Sequence, residues 1–372
     1  MLKPGATEPP RPTSTPQNDD NSTTRGMIMK HQGLKWLTGL AIGLASLTTG
    51  AVDASAQAVI NKIKERGYVS CGASQGVPGL SRPDEKGYYR GFDSDICRTF
   101  AVAILGDRDK IRYVPLNAGQ RFAALQTGEI DVLSRTSTIT YSRDTVVRFV
   151  WINLYDTDGM LVRKADNITE PKLLDGKTVC LQGGGSLTEK AIEETEEEFG
   201  IAMEKVYYDS TVQARDAFFG GRCDSYVTDG TAAAGQRASV AKNPDDYDII
   251  RVGRAAEPNG VAVARGDDQL FDVVRWTLNA LFWAEANGIT SQNVDEKLAS
   301  GSPEVKRVLG EEPGFGKPLG LDDKWAYNVI KQMGNYAEIW DRNLGKDSPL
   351  KVERGLNALW KDGGLNYPFP WD

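Results

Sequence analysis

The chain has 372 residues, 40% hydrophobic and 26% charged, the mix of a soluble globular protein that is long for one core and comfortable for two. A formal net charge of −7, with no block of Lys or Arg, argues against nucleic acid or an anionic membrane surface as partner. The single histidine is His31, inside a leader-like segment, so the chain beyond it offers no Ser-His-Asp or Cys-His catalysis, no histidine base and no histidine metal site.

Residues 1–26 are rich in Pro, Thr, Ser and Asn, have little to bury, and predict a disordered extension. Met27 or Met29 is then the natural start. Residues 27–56 predict a signal peptide: Lys30 and Lys35 precede an apolar run over 37–47, and Ala54-Ser55-Ala56 supplies a small-x-small cleavage site. The run is shorter than the roughly 20 residues that span a bilayer. Cleavage after Ala56 implies export and takes the net charge from −7 to −8.

From there the pattern alternates strand and helix, the grammar of an α/β protein with mainly parallel sheets. Tyr68-Val69-Ser70-Cys71-Gly72 predicts a strand running into the loop Gln75-Gly76-Val77-Pro78-Gly79, where Gln75 is a candidate ligand reader or an ordinary solvated turn residue. Residues 92–105 predict a helix with Ile96, Phe100, Ala103 and Ile104 on one face and Gly106 as its stop. Residues 111–115 form the next strand.

Two segments then echo each other. Gly128 is followed three residues on by Asp131, and Gly221 by Asp224; each glycine caps a helix and each Asp opens a strand. Five residues past each Asp stand Thr136 and Asp229, just beyond the carboxyl end of a strand, where open α/β sheets hold ligands. Two such crevices facing each other would make a cleft. Between them, Gln182-Gly183-Gly184-Gly185-Ser186 follows a strand and precedes a helix. Gly184, Gly185 and Ser186 are candidates to offer N–H groups to a ligand carboxylate. As a phosphate loop the segment fails, since the third glycine of the dinucleotide fingerprint would be Thr188. Acidic residues 193–198 predict a solvated helix face. Trp276, Leu281 and Trp283 predict core of a helical tail.

Cys71, Cys97, Cys180 and Cys223 form no CxxC, so neither a metal site nor a redox motif is expected. An even count in an exported chain points to disulfides, with three pairings open.

Gly91-Phe92-Asp93-Ser94-Asp95, Arg121-Phe122-Ala123-Ala124-Leu125, and Asp131 through Thr138-Ile139-Thr140 to Arg143 resemble the family 3 periplasmic solute-binding proteins of polar amino-acid importers. Leu133-Ser134-Arg135, Gly221-Arg222-Cys223-Asp224, Gly334-Asn335-Tyr336 and Gly355-Leu356-Asn357-Ala358-Leu359-Trp360 resemble its general L-amino-acid branch, from about residue 58 to the end. The resemblance implies a two-lobed α/β fold of the type II periplasmic-binding-protein kind, with two crossover strands. One crossing is expected at Met160-Leu161-Val162-Arg163 and the other at Asn259-Gly260-Val261-Ala262-Val263. Residues 57–162 and 262–372, the latter with the helical tail, would form the first lobe, and 163–261 the second. Pairing within each lobe favours Cys71–Cys97 and Cys180–Cys223.

The same resemblance implies a periplasmic, monomeric, non-catalytic protein without a cofactor, whose partners are a free L-amino acid and the membrane subunits of an ABC permease. It gives Arg143 to the ligand carboxylate, which arginine matches with two parallel hydrogen bonds. It adds the hydroxyl and N–H of Thr138, the backbone of Thr136, and Asp229 for the ammonium. Relatives commonly carry threonines where Gly184 and Gly185 stand. The competing roles are a surface ion pair with Asp144 for Arg143 and a turn before Gly230 for Asp229. The competing function is an exported enzyme like the cyclohexadienyl dehydratases, which needs a cleft carboxylate beyond those that bind. No acid/base pair for it stands out in the sequence. A receptor ectodomain is disfavoured because no apolar span follows residue 272.

Overall fold

A computed structural model of the chain describes residues 58–311 and 315–371. The expected extension and signal peptide lie outside the described residues. Among those described, no helix is long and apolar enough to cross a membrane.

Among the described residues there are ten strands: β1 Val69–Ala73, β2 Arg82–Pro83, β3 Tyr89–Arg90, β4 Ile111–Pro115, β5 Val132–Leu133, β6 Arg148–Arg163, β7 Thr178–Gln182, β8 Glu204–Tyr208, β9 Ser225–Asp229 and β10 Tyr247–Val263. Eight of them form one sheet in the order β4-β1-β5-β10-β6-β9-β7-β8. β1 lies parallel to β4 and β5, and β7 parallel to β8 and β9. These parallel trios sit at opposite ends of the sheet.

The long antiparallel pair β6 and β10 joins the trios. β10 takes β5 as neighbour at Ala262 and Val263, whereas β6 takes β9 over 158–162. The expected crossing segments are therefore the outer ends of the two long strands. The change of partner falls between those ends, where the pairing register slips between Val252 and Glu257 opposite Asp158 and Asp156. This is the two-lobed α/β architecture with two crossover strands.

Alternating strand residues feed separate apolar layers on the two faces. Val132, Val261 and Val263 join the large core under the helical tail, with Phe92, Phe100, Phe282, Trp325, Tyr336 and Trp340, while Leu133 and Ala262 face Leu116, Leu125 and Ile130. At the other end Met160, Val179 and Leu181 pack with Ile192 and Val227, and Leu161 and Cys180 with Phe218 and Tyr226. The tail helix Asp268–Ala286 buries Leu281 and Trp283 as expected, and Trp276 packs against Trp371 with the rings tilted by 48°. The helix Phe92–Leu105 ends at Gly106 in the left-handed conformation, whose N–H bonds the Val102 carbonyl.

The sequence echo has one structural meaning at both ends of the sheet. Gly128 and Gly221 adopt φ of 73° and 79°. The Asp131 carboxylate then accepts the Ser70 N–H at 2.7 Å, and the Asp224 carboxylate the Thr178 N–H at 2.8 Å. Each Asp anchors the start of the neighbouring parallel strand, which sets where both strands end. Disulfides Cys71–Cys97 and Cys180–Cys223, with Cα separations of 6.2 and 5.7 Å, tie β1 and β7 to flanking segments.

Candidate functional site

Between the two trios, against the crossing of β6 and β10, lies a polar cavity. Its lining includes Arg121, Arg135, Thr136, Thr138 and Arg143 from one side, Gln182, Ser186, Thr211 and Asp229 from the other, and Glu257 at the crossing. The cavity is small, about 40 Å³, and partly open to solvent.

Arg143 sits in a single turn, Tyr141–Asp144, capped by the Thr140 side chain. Its guanidinium does not pair with Asp144, whose carboxylate instead accepts the Phe149 N–H. It donates to the Thr138 carbonyl at 2.9 Å and, across the cavity, to the Gly185 carbonyl at 2.8 Å. No carboxylate among the described residues forms an ion pair with it. Burial lowers its pKa against the raising influence of Glu257 and Asp229.

Asp229 ends β9 and stands at the N-cap of the helix Gly230–Ser239, but its side chain makes no cap bond. Asp156, from β6, does that work: its carboxylate accepts the Thr157 N–H, the Thr231 N–H and the Thr231 hydroxyl. The Asp229 carboxylate consequently has neither a hydrogen bond nor an ion pair among the described residues. Burial, followed by the charges of Asp156 and Glu257, pushes its pKa up to about 8, with Arg135 and Arg121 pulling the other way.

Thr136 adopts φ of 32°, left-handed for a non-glycine residue and the kind of strain found at functional turns. Buried Asp93 braces that turn, taking the Ser134 hydroxyl and the Thr136 N–H. Burial raises Asp93 to about 7. The Thr138 hydroxyl is already committed, donating to Glu257 at 2.8 Å.

The glycine loop behaves differently from expectation. Gly184 and Gly185 adopt φ of 79° and 96°, with open space where a Cβ would stand. A threonine there would be strained by the backbone, not by crowding. Gly185 turns its carbonyl, not its N–H, toward Arg143, so here the loop serves as an acceptor for the arginines. Ser186 lines the cavity and its hydroxyl is hydrogen-bonded with that of Thr188 at 2.8 Å. Gln75 is exposed and outside the lining; Ser74, one residue earlier, takes that place.

Sequence reasoning missed Arg121, Arg135, Glu257 and the carboxylates behind it. Arg135 precedes Thr136 at the same strand end, so the strand-end rule already pointed at it. Arg121 opens the helix Arg121–Gln126 from a motif read only for its family likeness. The sequence shows no acid/base pair for an enzyme, yet the structure places two further carboxylates, Glu257 and Asp158, beside the cavity. They meet because the register slip brings β6 and β10 together there. Asp158 is hydrogen-bonded to Glu257, and burial with three carboxylate neighbours raises it to about 9. Among the described residues no cluster of His, Cys, Asp or Glu is arranged to hold a metal.

Two lobes on paired long strands, with a cation and a carboxylate that form no ion pair among the described residues and line one cavity from opposite sides, define a protein built to close on a small ligand. The chain belongs to the bacterial extracellular solute-binding proteins, family 3, whose model matches residues 69–292. It is 44% identical over 338 residues to the general L-amino acid-binding periplasmic protein of Rhizobium johnstonii, covering 90% of this chain and 98% of that one. It is 40% identical to the glutamate/glutamine/aspartate/asparagine-binding protein of Rhodobacter capsulatus, covering 89% and 97%. Among solved structures it resembles a periplasmic binding protein from Brucella ovis with glutathione bound, with a TM-score of 0.81, 42% identity, and 84% and 98% of the two chains covered.

Proposed function

We propose that this chain is the periplasmic, non-catalytic binding component of an ABC importer, capturing free polar L-amino acids by lobe closure. One observation carries the reading: Arg143 and Asp229 face one cavity from opposite lobes, and among the described residues neither forms an ion pair. Arg143 takes the α-carboxylate and Asp229 the ammonium, so each end of the zwitterion meets a charge that burial alone would penalise. Thr136, Thr138 and Ser186 complete the polar wall, and the ligand replaces Gly185 as the bridge from Arg143 to the second lobe. The relatives' amino-acid ligands support this substrate class.

We take the hinge at residues 156–158 and 253–257, inside the boundaries at 162 and 262, because β9 pairs with β6 over 158–162. Ligand favours the closed state, whose joined lobe faces then dock on the permease. The chain works as a monomer and reaches the periplasm by cleavage after Ala56.

Glu257 and Asp158 favour a second reading, a dehydratase-like enzyme on this fold. Against it, Glu257 is held by Thr138 and Asp158, and the curated relatives are transport proteins.

A thermal-shift series across the common L-amino acids tests the proposal. A ligand at 100 times its Kd stabilises by about 2.7 kcal/mol, a rise of about 5 °C for a protein of this size. Polar amino acids should produce it and emerge unchanged in mass. No response to any of them contradicts binding, and a mass loss contradicts the non-catalytic role.

A further inference from the structure

The helix Gly230–Ser239 follows β9 in the second lobe and is tied to the crossing by Asp156, whose carboxylate accepts the Thr231 N–H. Its buried face turns to the first lobe, where Ala232 packs in the same apolar layer as Val77 and Leu80. Three residues on, at Gly235, the two backbones meet. A Cβ there would overlap the Pro78 carbonyl oxygen and lie 3.1 Å from the carbonyl carbon, with the Pro78 Cβ at 3.5 Å. Glycine in a helix interior weakens the helix relative to alanine, and the three residues before it are all alanine. Helix stability does not account for Gly235; the neighbour across the gap does.

Pro78 is held in place. Val77 and Ser81 close its loop by exchanging backbone hydrogen bonds of 2.8 and 2.9 Å, and the Phe92 N–H bonds the Gly79 carbonyl at 2.8 Å. The Ser74 hydroxyl adds a bond of 3.0 Å to the Ser81 carbonyl, and Val77 and Leu80 are buried. At the glycine loop the lobes again meet through bare backbone: a Cβ on Gly119 would stand 3.1 Å from the Gly184 carbonyl oxygen.

We propose that Gly235 is the closure stop of the cleft: its missing side chain lets the second lobe reach the position at which Arg143 and Asp229 share one ligand. The inference rests on the lobe-closure reading and names the residue that sets how far closure goes. A methyl group at 235 would meet a fixed carbonyl before the lobes reach that position. The ligand-competent state would become a minor one, and apparent affinity would fall with its population. The open state, in which helix and loop are apart, would keep the gain in helix propensity. Stability and affinity then move in opposite directions, which a simple loss of packing does not produce.

Melting of the free protein, and titration calorimetry with L-glutamate and L-glutamine, should be compared for wild type, Gly235→Ala and Ala234→Gly. Gly235→Ala should melt at or above wild type and bind about 5- to 150-fold more weakly, the range for an overpacked contact. With saturating ligand, small-angle scattering should show it less compact than wild type. Ala234→Gly, one position along the same helix, should melt lower and bind like wild type; weaker binding there too would trace the effect to the helix and overturn the stop. Equal affinity in wild type and Gly235→Ala overturns the stop and leaves amino-acid binding intact. So does a Gly235→Ala that melts lower or fails to fold, since the contact then serves the fold in every state. Wild type that binds none of the common amino acids overturns the binding reading and the stop together.

Discussion

Arg143→Met should weaken amino-acid binding by about 30-fold to several thousandfold, the range for truncating one partner of a desolvated charge pair. The Arg143 guanidinium donates to two backbone carbonyls and lies 5.7 Å from the Phe122 ring centroid, with no ion pair among the described residues, so the free variant should melt within a few degrees of wild type. The discriminating comparison is an amino acid against its α-carboxamide. Wild type should reject the amide strongly, because the amide cannot receive the two parallel bonds of the guanidinium. The variant should bind acid and amide almost alike. Arg143→Lys keeps a point charge without the planar fork and should fall between. Titration calorimetry on the four combinations checks this, and a variant that still prefers the acid as wild type does would remove Arg143 from the carboxylate site.

The second large effect concerns protons. Asp229 is raised from the ordinary carboxylate range to about 8 by burial and by Asp156 and Glu257, against the pull of Arg135 and Arg121. A carboxyl whose folded pKa is raised contributes stability that is fully present below its unfolded value near 3.8. That contribution is lost as pH climbs through about 8. Asp158, raised to about 9, and Asp93, raised to about 7, add in the same direction. The unliganded protein should therefore lose stability from this group of carboxyls between pH 5 and pH 9.

A ligand ammonium reverses the balance at Asp229 by favouring its ionised form. Binding at pH 7 should release up to one proton, and affinity should rise between pH 6 and pH 8 by up to about tenfold per unit. Calorimetry in two buffers of different ionisation enthalpy counts that proton. Asp229→Asn should abolish the release, flatten the pH profile and lower affinity. Proton release that persists in Asp229→Asn would assign it to Asp158 instead.

Much of the fold was legible because its signals are local. The echo of glycine and aspartate worked because an Asp three residues past a capping glycine anchors the next parallel strand, and that geometry recurs at Asp131 and Asp224. Thr136 and Asp229 followed from counting past those anchors and from the family likeness, whereas Arg143 came from the likeness alone. What stayed hidden depends on pairing between distant strands. Nothing in the sequence near Glu257 announces that a slip in register against β6 will bring it beside Asp158. The direction of the Gly185 carbonyl was equally hidden, since a glycine-rich loop is compatible with either peptide orientation until its φ values are set. Gln75 and Ser74 differ by one position at the end of β1, enough to move a side chain from cavity to solvent.

The most direct test is a crystal structure with the L-amino acid that raises the melting temperature most. The α-carboxylate should lie about 2.7–2.9 Å from the guanidinium nitrogens of Arg143, with the ammonium at similar distance from the Asp229 carboxylate, so that the bound molecule spans both lobes. A ligand turned end for end, or seated against one lobe with either side chain untouched, would contradict the account.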